Sequence, residues 1–384
     1  MSHYGVRGTA NSLFSSYLKG RSQFVTISGK SSEKYSMEHG VPQGSVLGPL
    51  LFLIYINDLN LCIKHSKTIH FADDTSLLNC NKSLRKINKE VNHDLRLLSE
   101  WLRANRISLN ADKTQIVLFR SSSKRTMNKS HMFRKSCKEL KTVKKSLNFR
   151  INGQQIIPTD SVIYLGVKLN QFLNWNEHFD ILVPKLSRAN GMLAKIRHYV
   201  SQDTLISIYY AIFNSHLNYC SLVWGKLPDF IMDKVRSLQN NALRLICFKQ
   251  RFESASPLYR EANILPFKAL LIRNQCIFAF RQQFKSVPSV FSDFFLNVSV
   301  THDRPTLASR QLELRIPQTN SVTHGSNSTK TQAAKNWNTF IPLLLKKENE
   351  KKKENENYRP KHLHEFSSTK FSKKISEILL NQPA

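Results

Sequence analysis

The chain has 384 residues, 41% of them hydrophobic, which is enough for a real core in two or three domains and excludes wholesale disorder. Its 57 basic and 27 acidic residues leave a net charge of +30, an excess that points to a polyanionic partner, either nucleic acid or an acidic membrane surface. Six scattered cysteines without a C-x-x-C pair exclude a zinc knuckle or a small disulfide scaffold and leave reduced thiols as the simple expectation.

Thr9–Lys19 reads as a short helix with Leu13, Phe14, Tyr17 and Leu18 on one side. The basic residues Arg7, Lys19 and Arg21 stand among serines and only faintly mimic a transit peptide, and no charged-then-apolar leader pattern is present. Ser22–Gly29 and Glu33–Gly40 alternate like strands around the turn-forming Gly29-Lys30-Ser31-Ser32, which predicts a hairpin. That hairpin delivers Gly40–Gly44 as a loop before the apolar run Val46–Ile56, in which Pro49 suits a first helical turn. The run is shorter than the roughly 20 residues a bilayer span needs, so the expectation is a soluble, nuclear or cytoplasmic chain, neither secreted nor transmembrane.

Thr68–Ala72 and Thr75–Leu78 are short strands flanking Asp73-Asp74, a second predicted hairpin. Ser83–Asn105 is the clearest helix, with Leu84, Ile87, Val91, Leu95, Leu98 and Leu102 at three- and four-residue steps. Gln115–Phe119 reads as a strand. Arg120–Ser146, crowded with Ser, Lys and Arg and without a period, reads as a mobile basic loop. Strand-like segments return at Phe149–Ile157 and Val162–Leu169, taken together as a hairpin region over 149–172. Helical patterns follow at Glu177–Tyr199, Asp203–Asn214, Asp229–Phe248 and Phe267–Phe284, and then comes a C-terminal region over 285–345. Lys346–Asn357, KKENEKKKENEN, is low-complexity and charged, and it opens an expected largely disordered tail over 346–384. The fold class expected is α+β: a sheet domain over 1–120, then an all-helical part from about residue 173.

Asp73 and Asp74 carry the sharpest chemical signal. A lone Asp-Asp pair is ordinary turn chemistry. Held near one point by a tight turn, however, two carboxylates repel, so one takes a proton or both bind a cation. Magnesium suits such a pair, because it takes oxygen ligands and shares its shell with water and substrate phosphates.

Read in order, GVPQGSVLGPLLFLIYINDL, FADDT, SLNADKTQIVLF and YLGVKLNQFLNWNEHF resemble consecutive blocks of a non-LTR (LINE-type, jockey-like) retrotransposon reverse transcriptase. The stretch HYGVRGTANSLFSSYLKGRSQFV resembles the segment before the first block, and similarity continues weakly through SHLNYCSLVWG and into RQLELRIPQTNSVTHGSNSTKTQAAKNWNTFIP. The resemblance implies a partial right-hand polymerase palm over 1–120, a primer-grip-like hairpin over 149–172 and a helical thumb over 173–284. It implies RNA-directed DNA synthesis, with an RNA template, a DNA primer or RNA–DNA hybrid, deoxynucleoside triphosphates, and Mg2+ or Mn2+ as cofactor.

By the same resemblance, Pro42, Gln43 and Gly44 form the loop beside the nascent base pair. Asp73 and Asp74 match the metal-binding pair. Lys113 matches a lysine suited to the leaving pyrophosphate, and Tyr164, Leu165 and Gly166 match the primer grip. Lys185, Arg188, Lys195, Arg197 and His198 are candidate phosphate contacts, each with a solvated face as the plainer reading. The aromatics Trp101, Tyr164, Trp175, Tyr209 and Trp224 are expected in the core.

The family pattern has a third carboxylate on a strand before the Pro-Gln-Gly block. The only acids before Asp58 are Glu33 and Glu38, and neither lies in such a pattern. The resemblance therefore implies a truncated chain, inactive as a polymerase alone, with a nucleic-acid-binding module as the alternative.

Overall fold

The computed structural model describes residues 2–120, 147–225, 228–298, 313–319, 328–354, 363 and 366–382. The chain divides into two units, Met1–Asp160 and Ser161–Ala384. The architecture is mixed α and β, with helices and short antiparallel hairpins; every sheet among the described residues is two-stranded.

In the first unit, helix α1 (Gly8–Leu18) leads into a ribbon of β1 (Arg21–Gln23), β2 (Thr26–Ile27), β3 (Lys30–Ser31) and β4 (Tyr35–Met37). The outer strands pair Arg21 with Met37 and the inner ones Thr26 with Ser31, so a hairpin forms as the alternation predicts, but it turns at Ser28-Gly29 and the expected turn residues Lys30 and Ser31 lie in β3. Helix α2 (Gly48–Ile56) and the single turn α3 (Leu59–Cys62) precede the hairpin β5 (Lys67–Phe71) and β6 (Asp74–Leu78).

Helix α4 (Leu84–Ala104) follows the predicted stripe and buries Leu95, Leu98 and Leu102. Against it packs a third hairpin, β7 (Phe149–Ile151) and β8 (Gln154–Ile156), contributing Phe149, Ile151 and Ile156 to a core that also holds Leu59 and Leu147. Asn92 on α4 works as a strand would: it donates to the Asn148 carbonyl and accepts from the Arg150 N–H, both at 2.8 Å.

The segment expected as a strand over 115–119 makes a single parallel bridge, Val117 to Thr159, with Thr159 N–H donating to the Ile116 carbonyl at 2.8 Å. One bridge gives no ladder to extend, so the apolar run stays irregular despite its composition. Residues 121–146, where the basic loop is expected, lie outside the described residues.

The segment 149–172 is two hairpins rather than one. β7–β8 belongs to the first unit, whereas β9 (Ser161–Tyr164) and β10 (Val167–Asn170) open the second. Each closes with a two-residue turn whose central residues have positive φ, the pattern favoured between right-twisted strands: Asn152-Gly153 in one, Leu165-Gly166 in the other.

The second unit continues with α5 (Asn176–Ile196) and α6 (Gln202–Tyr209), a π-helical turn at Tyr210–Asn214, and the short α7 (Ser215–Asn218) and α8 (Ser221–Trp224). It then builds α9 (Asp229–Ile246), α10 (Ser256–Glu261), α11 (Phe267–Gln283), α12 (Thr329–Glu354) and α13 (Ser368–Leu380). Their apolar faces share one core. Tyr209, Phe213, Leu217 and Trp224 are wholly buried, and Trp175 packs beside them, half-buried, as expected of the aromatics.

The expected disordered tail is corrected here. The charged run beginning at Lys346 continues α12 to Glu354, and α13 buries Phe371, Ile375, Ile378 and Leu379. The reason is packing: Phe371 stacks on Phe280 of α11 with centroids 4.2 Å apart, and Glu348, 3% exposed, meets Lys374 at 3.3 Å. An apolar stripe with a helix to cover it folds whatever the charge density next to it.

No helix among the described residues is long and apolar enough to cross a membrane. The described cysteines are free, with Cys247 and Cys276 buried.

Candidate functional site

The Pro42-Gln43-Gly44 turn is explained atom by atom. Ser45 N–H closes it on the Pro42 carbonyl at 3.4 Å, and Gly44 sits at φ +78°, which a β-carbon would strain. Ser45 Oγ donates to that same carbonyl at 2.7 Å and accepts the Gly48 N–H at 3.1 Å, locking the turn onto the first residue of α2. A Cβ on Gly48 would lie 2.8 Å from Ser45 Oγ and 3.1 Å from the Pro42 oxygen. Gly48 is thus a close-approach glycine and Gly44 a conformational one. Gln43 is left exposed at the crest.

Arg21, noted in the sequence only as a basic residue among serines, holds the start of this loop. Its guanidinium donates to the Leu18 carbonyl at 3.0 Å and to the Gly40 carbonyl at 2.5 Å.

Asp73 and Asp74 occupy the tip of the β5–β6 hairpin. Phe71 pairs with Asp74, leaving Ala72 and Asp73 as the turn. Ala72 is at φ +51°, a conformation that costs a residue with a β-carbon about 1–2 kcal/mol. Both aspartates are exposed, and neither carboxylate has a hydrogen bond or ion pair among the described residues. Two free carboxylates are the hard oxygen donors that Mg2+ or Mn2+ takes, so the pair fits such a cation in kind. No third His, Cys, Asp or Glu among the described residues converges with them. Glu33 and Glu38 flank β4 and are exposed.

The root of the hairpin is set by Asp94, missed in the sequence. This side chain of α4 is fully buried and receives backbone N–H groups from Lys64 at 3.1 Å, His65 at 3.2 Å and Ser66 at 2.8 Å. Burial works to raise its carboxyl pKa, but the hydrogen bonds from Ser66, Lys64 and His65 outweigh it and hold the group below its ordinary value. An acid adjoining the Val91–Leu95–Leu98 stripe was the available signal.

Lys113 ends a 3₁₀ turn, Ala111–Lys113, capped by Asn110, whose side chain accepts the Lys113 N–H at 3.2 Å. Its ammonium side is exposed, while the neighbouring Asp112 accepts from Gln154 at 2.9 Å.

In the second unit, Leu165 and Gly166 form the β9–β10 turn with Tyr164 ending β9. The Tyr219 hydroxyl donates to the Leu165 carbonyl at 2.6 Å, and its ring would touch a Cβ on Gly166 at 3.4 Å. On α5 and the turn after it, Arg188, Lys195 and His198 are exposed, Lys185 is half-buried, and Arg197 lies over the Phe248 ring at 5.6 Å. Pro42–Gly44, Asp73–Asp74 and Lys113 thus belong to the first unit and Tyr164–Gly166 to the second.

Residues 3–169 match the family model described as reverse transcriptase (RNA-dependent DNA polymerase). The chain is 28% identical over 245 residues to the RNA-directed DNA polymerase from mobile element jockey of Drosophila funebris, covering 61% of this chain and 24% of that protein. It is 27% identical over 263 residues to the probable RNA-directed DNA polymerase from transposon X-element of Drosophila melanogaster, covering 66% and 26%. It is 23% identical over 242 residues to the retrovirus-related Pol polyprotein from type-1 retrotransposable element R1 of Bradysia coprophila, covering 62% and 22%. The chain therefore spans about a quarter of the length of these relatives.

Proposed function

We propose, from the match of residues 3–169 to the reverse transcriptase family model and the likeness to polymerases of non-LTR elements, that this chain supplies part of the polymerase site of an RNA-directed DNA polymerase. The observation that carries the reading is the β5–β6 hairpin, with two unpaired carboxylates at its tip. In the proposed reaction a primer 3′ hydroxyl, annealed to an RNA template, attacks the α-phosphate of a deoxynucleoside triphosphate and releases pyrophosphate.

Asp73 and Asp74 would hold the divalent cation, which when bound polarises the reacting phosphate and neutralises charge developing on it. The exposed Gln43 would meet the nascent base pair, on a turn that Gly44 and Gly48 keep close to the helix. Lys113 would neutralise or protonate the leaving pyrophosphate. The Tyr164-Leu165-Gly166 turn would press on the primer backbone, with the helices from Asn176 onward serving as a thumb. The remaining surface of the first unit suits a larger assembly: Leu50, Leu53 and Tyr55 on α2 and Ile69 and Phe71 on β5 are all exposed.

Two carboxylates without a converging third among the described residues leave the transition state short of one charge-stabilising ligand, a loss worth on the order of 10²–10³ in rate. Alone, this chain is therefore expected not to extend a primer. Primer extension on an RNA template with Mg2+ or Mn2+ tests this. Extension that disappears in Asp73→Asn would overturn the inactivity. The alternative role is a binding module for RNA or RNA–DNA hybrid, supported by the net charge of +30 and by a helical unit with a core of its own.

A further inference from the structure

We propose that His65, His93 and Asp94 form a binding site for a zinc-class transition-metal ion, which fastens the root of the Asp73–Asp74 hairpin to α4. Their donor atoms lie within 4.8 Å of one another. The pair His93 Nδ1 and Asp94 Oδ1 is at 3.7 Å, and the two imidazole rings meet edge to face with centroids 5.0 Å apart.

These distances are too long for direct hydrogen bonding and short enough for a shared ion. A nitrogen 3.7 Å from a carboxylate oxygen is outside hydrogen-bond range. Tetrahedral coordination with Zn–N bonds of about 2.0 Å separates ligand atoms by about 3.3 Å. The His93–Asp94 pair is already close to that spacing, and the exposed His65 brings its ring nitrogen within 4.8 Å of both.

A second observation points the same way. His93 Nδ1 is buried with no hydrogen-bond partner among the described residues. Asn79 Oδ1, beyond the far end of β6, is another, although the Asn79 amide nitrogen donates to Glu90 at 3.1 Å and to the His65 carbonyl at 3.5 Å. Buried polar atoms left unmatched in one small region call for a water or an ion. Asp94 is pre-oriented for it: three successive backbone N–H groups fix its carboxylate, as partners around a metal ligand do. Two imidazoles with one carboxylate select zinc, cobalt or nickel over magnesium or calcium.

The test uses the full chain stripped of metal by a chelator, titrated with Zn2+ by calorimetry and followed by thermal melting. The expected result is one ion bound with these ligands and a higher melting temperature. His65→Ala and His93→Ala should each weaken that binding by at least the roughly 10–100-fold that loss of an outer-shell partner costs, without changing the far-ultraviolet spectrum. Binding should persist in Asp73→Asn/Asp74→Asn, which separates this site from the hairpin tip. Absence of saturable Zn2+ binding, or binding undiminished in the His65→Ala/His93→Ala double variant, would overturn the proposal.

Discussion

Gln239 donates from Nε2 to the Tyr209 hydroxyl across 2.9 Å, and both side chains are wholly excluded from solvent. The same nitrogen donates to the Leu265 carbonyl at 2.9 Å, while Oε1 accepts the N–H of Phe267, the first residue of α11, at 2.9 Å. One amide thereby ties α9 to α6 and satisfies a helix-terminal donor that has no partner within its own helix. Burial pushes the Tyr209 hydroxyl far above its ordinary range, so it stays protonated. Replacing Gln239 by Leu leaves these buried groups unmatched at about 1–3 kcal/mol each. Urea unfolding should show a loss of at least about 2 kcal/mol for Gln239→Leu; a change near zero would mean that water takes over the amide's role.

Two glycines of the helical unit should respond in opposite directions. A Cβ on Gly225 would come within 2.3 Å of both the Ser221 carbonyl oxygen and Leu271 Cδ2, so Gly225→Ala forces backbone or core to shift at about 1–3 kcal/mol. Gly191, inside α5, has open space around its Cβ position, so Gly191→Ala should stabilise by roughly 0.4–1 kcal/mol. Thermal melts of the two variants check both signs.

His178 sets a pH dependence. It is buried, and its Nδ1 accepts the Lys168 N–H at 3.4 Å, which requires that nitrogen to be unprotonated. Burial, then the nearby Lys185 charge, hold its pKa below the ordinary histidine value. The unfolded chain, with a histidine pKa of about 6.5, takes up this proton first as pH falls. Stability is therefore full above that pH and declines below it. Melting temperature should drop between pH 7 and pH 5, and the drop should shrink in His178→Gln. His216 contributes in the same direction, through burial and then Lys185 and Arg188, so some of the drop should persist.

If the helical unit follows a nucleic-acid backbone, its exposed cations act through counterion release. Log affinity for an RNA–DNA hybrid should then fall linearly with log salt. Arg188→Ala/Lys195→Ala should flatten that slope by about 2, one for each phosphate contact. Filter binding over a salt series reads this directly, and an unchanged slope would remove α5 from the interface.

Much of the fold was legible because it is local. The α4 stripe from Leu84 to Leu102 and the hairpin around Asp73 follow from periodicity and turn chemistry within a few residues. The Pro42–Gly44 turn was legible too, although its glycines divide into two kinds only once Ser45 Oγ is seen between Pro42 and Gly48. Asp94 and the role of Arg21 escaped, because each side chain acts on carbonyls or N–H groups contributed by a distant segment. The helix α13 was overlooked for a different reason. Its Phe371–Ile375–Ile378–Leu379 stripe is plain in the sequence, but the lysine-rich run ahead of it suggested a solvated tail.

By itself the sequence determined the basic charge, most of the order of helices and hairpins, and the blocks that resemble a reverse transcriptase, all properties carried by a residue and its near neighbours. Only the tertiary structure decided which charges lie inside. Asp94 is buried because three N–H groups of another segment replace its water, and Glu348 because Lys374 of another helix reaches it. Removing a charge from solvent is favourable only where such partners arrive together. Their arrival depends on how the chain packs, which no short window of sequence contains.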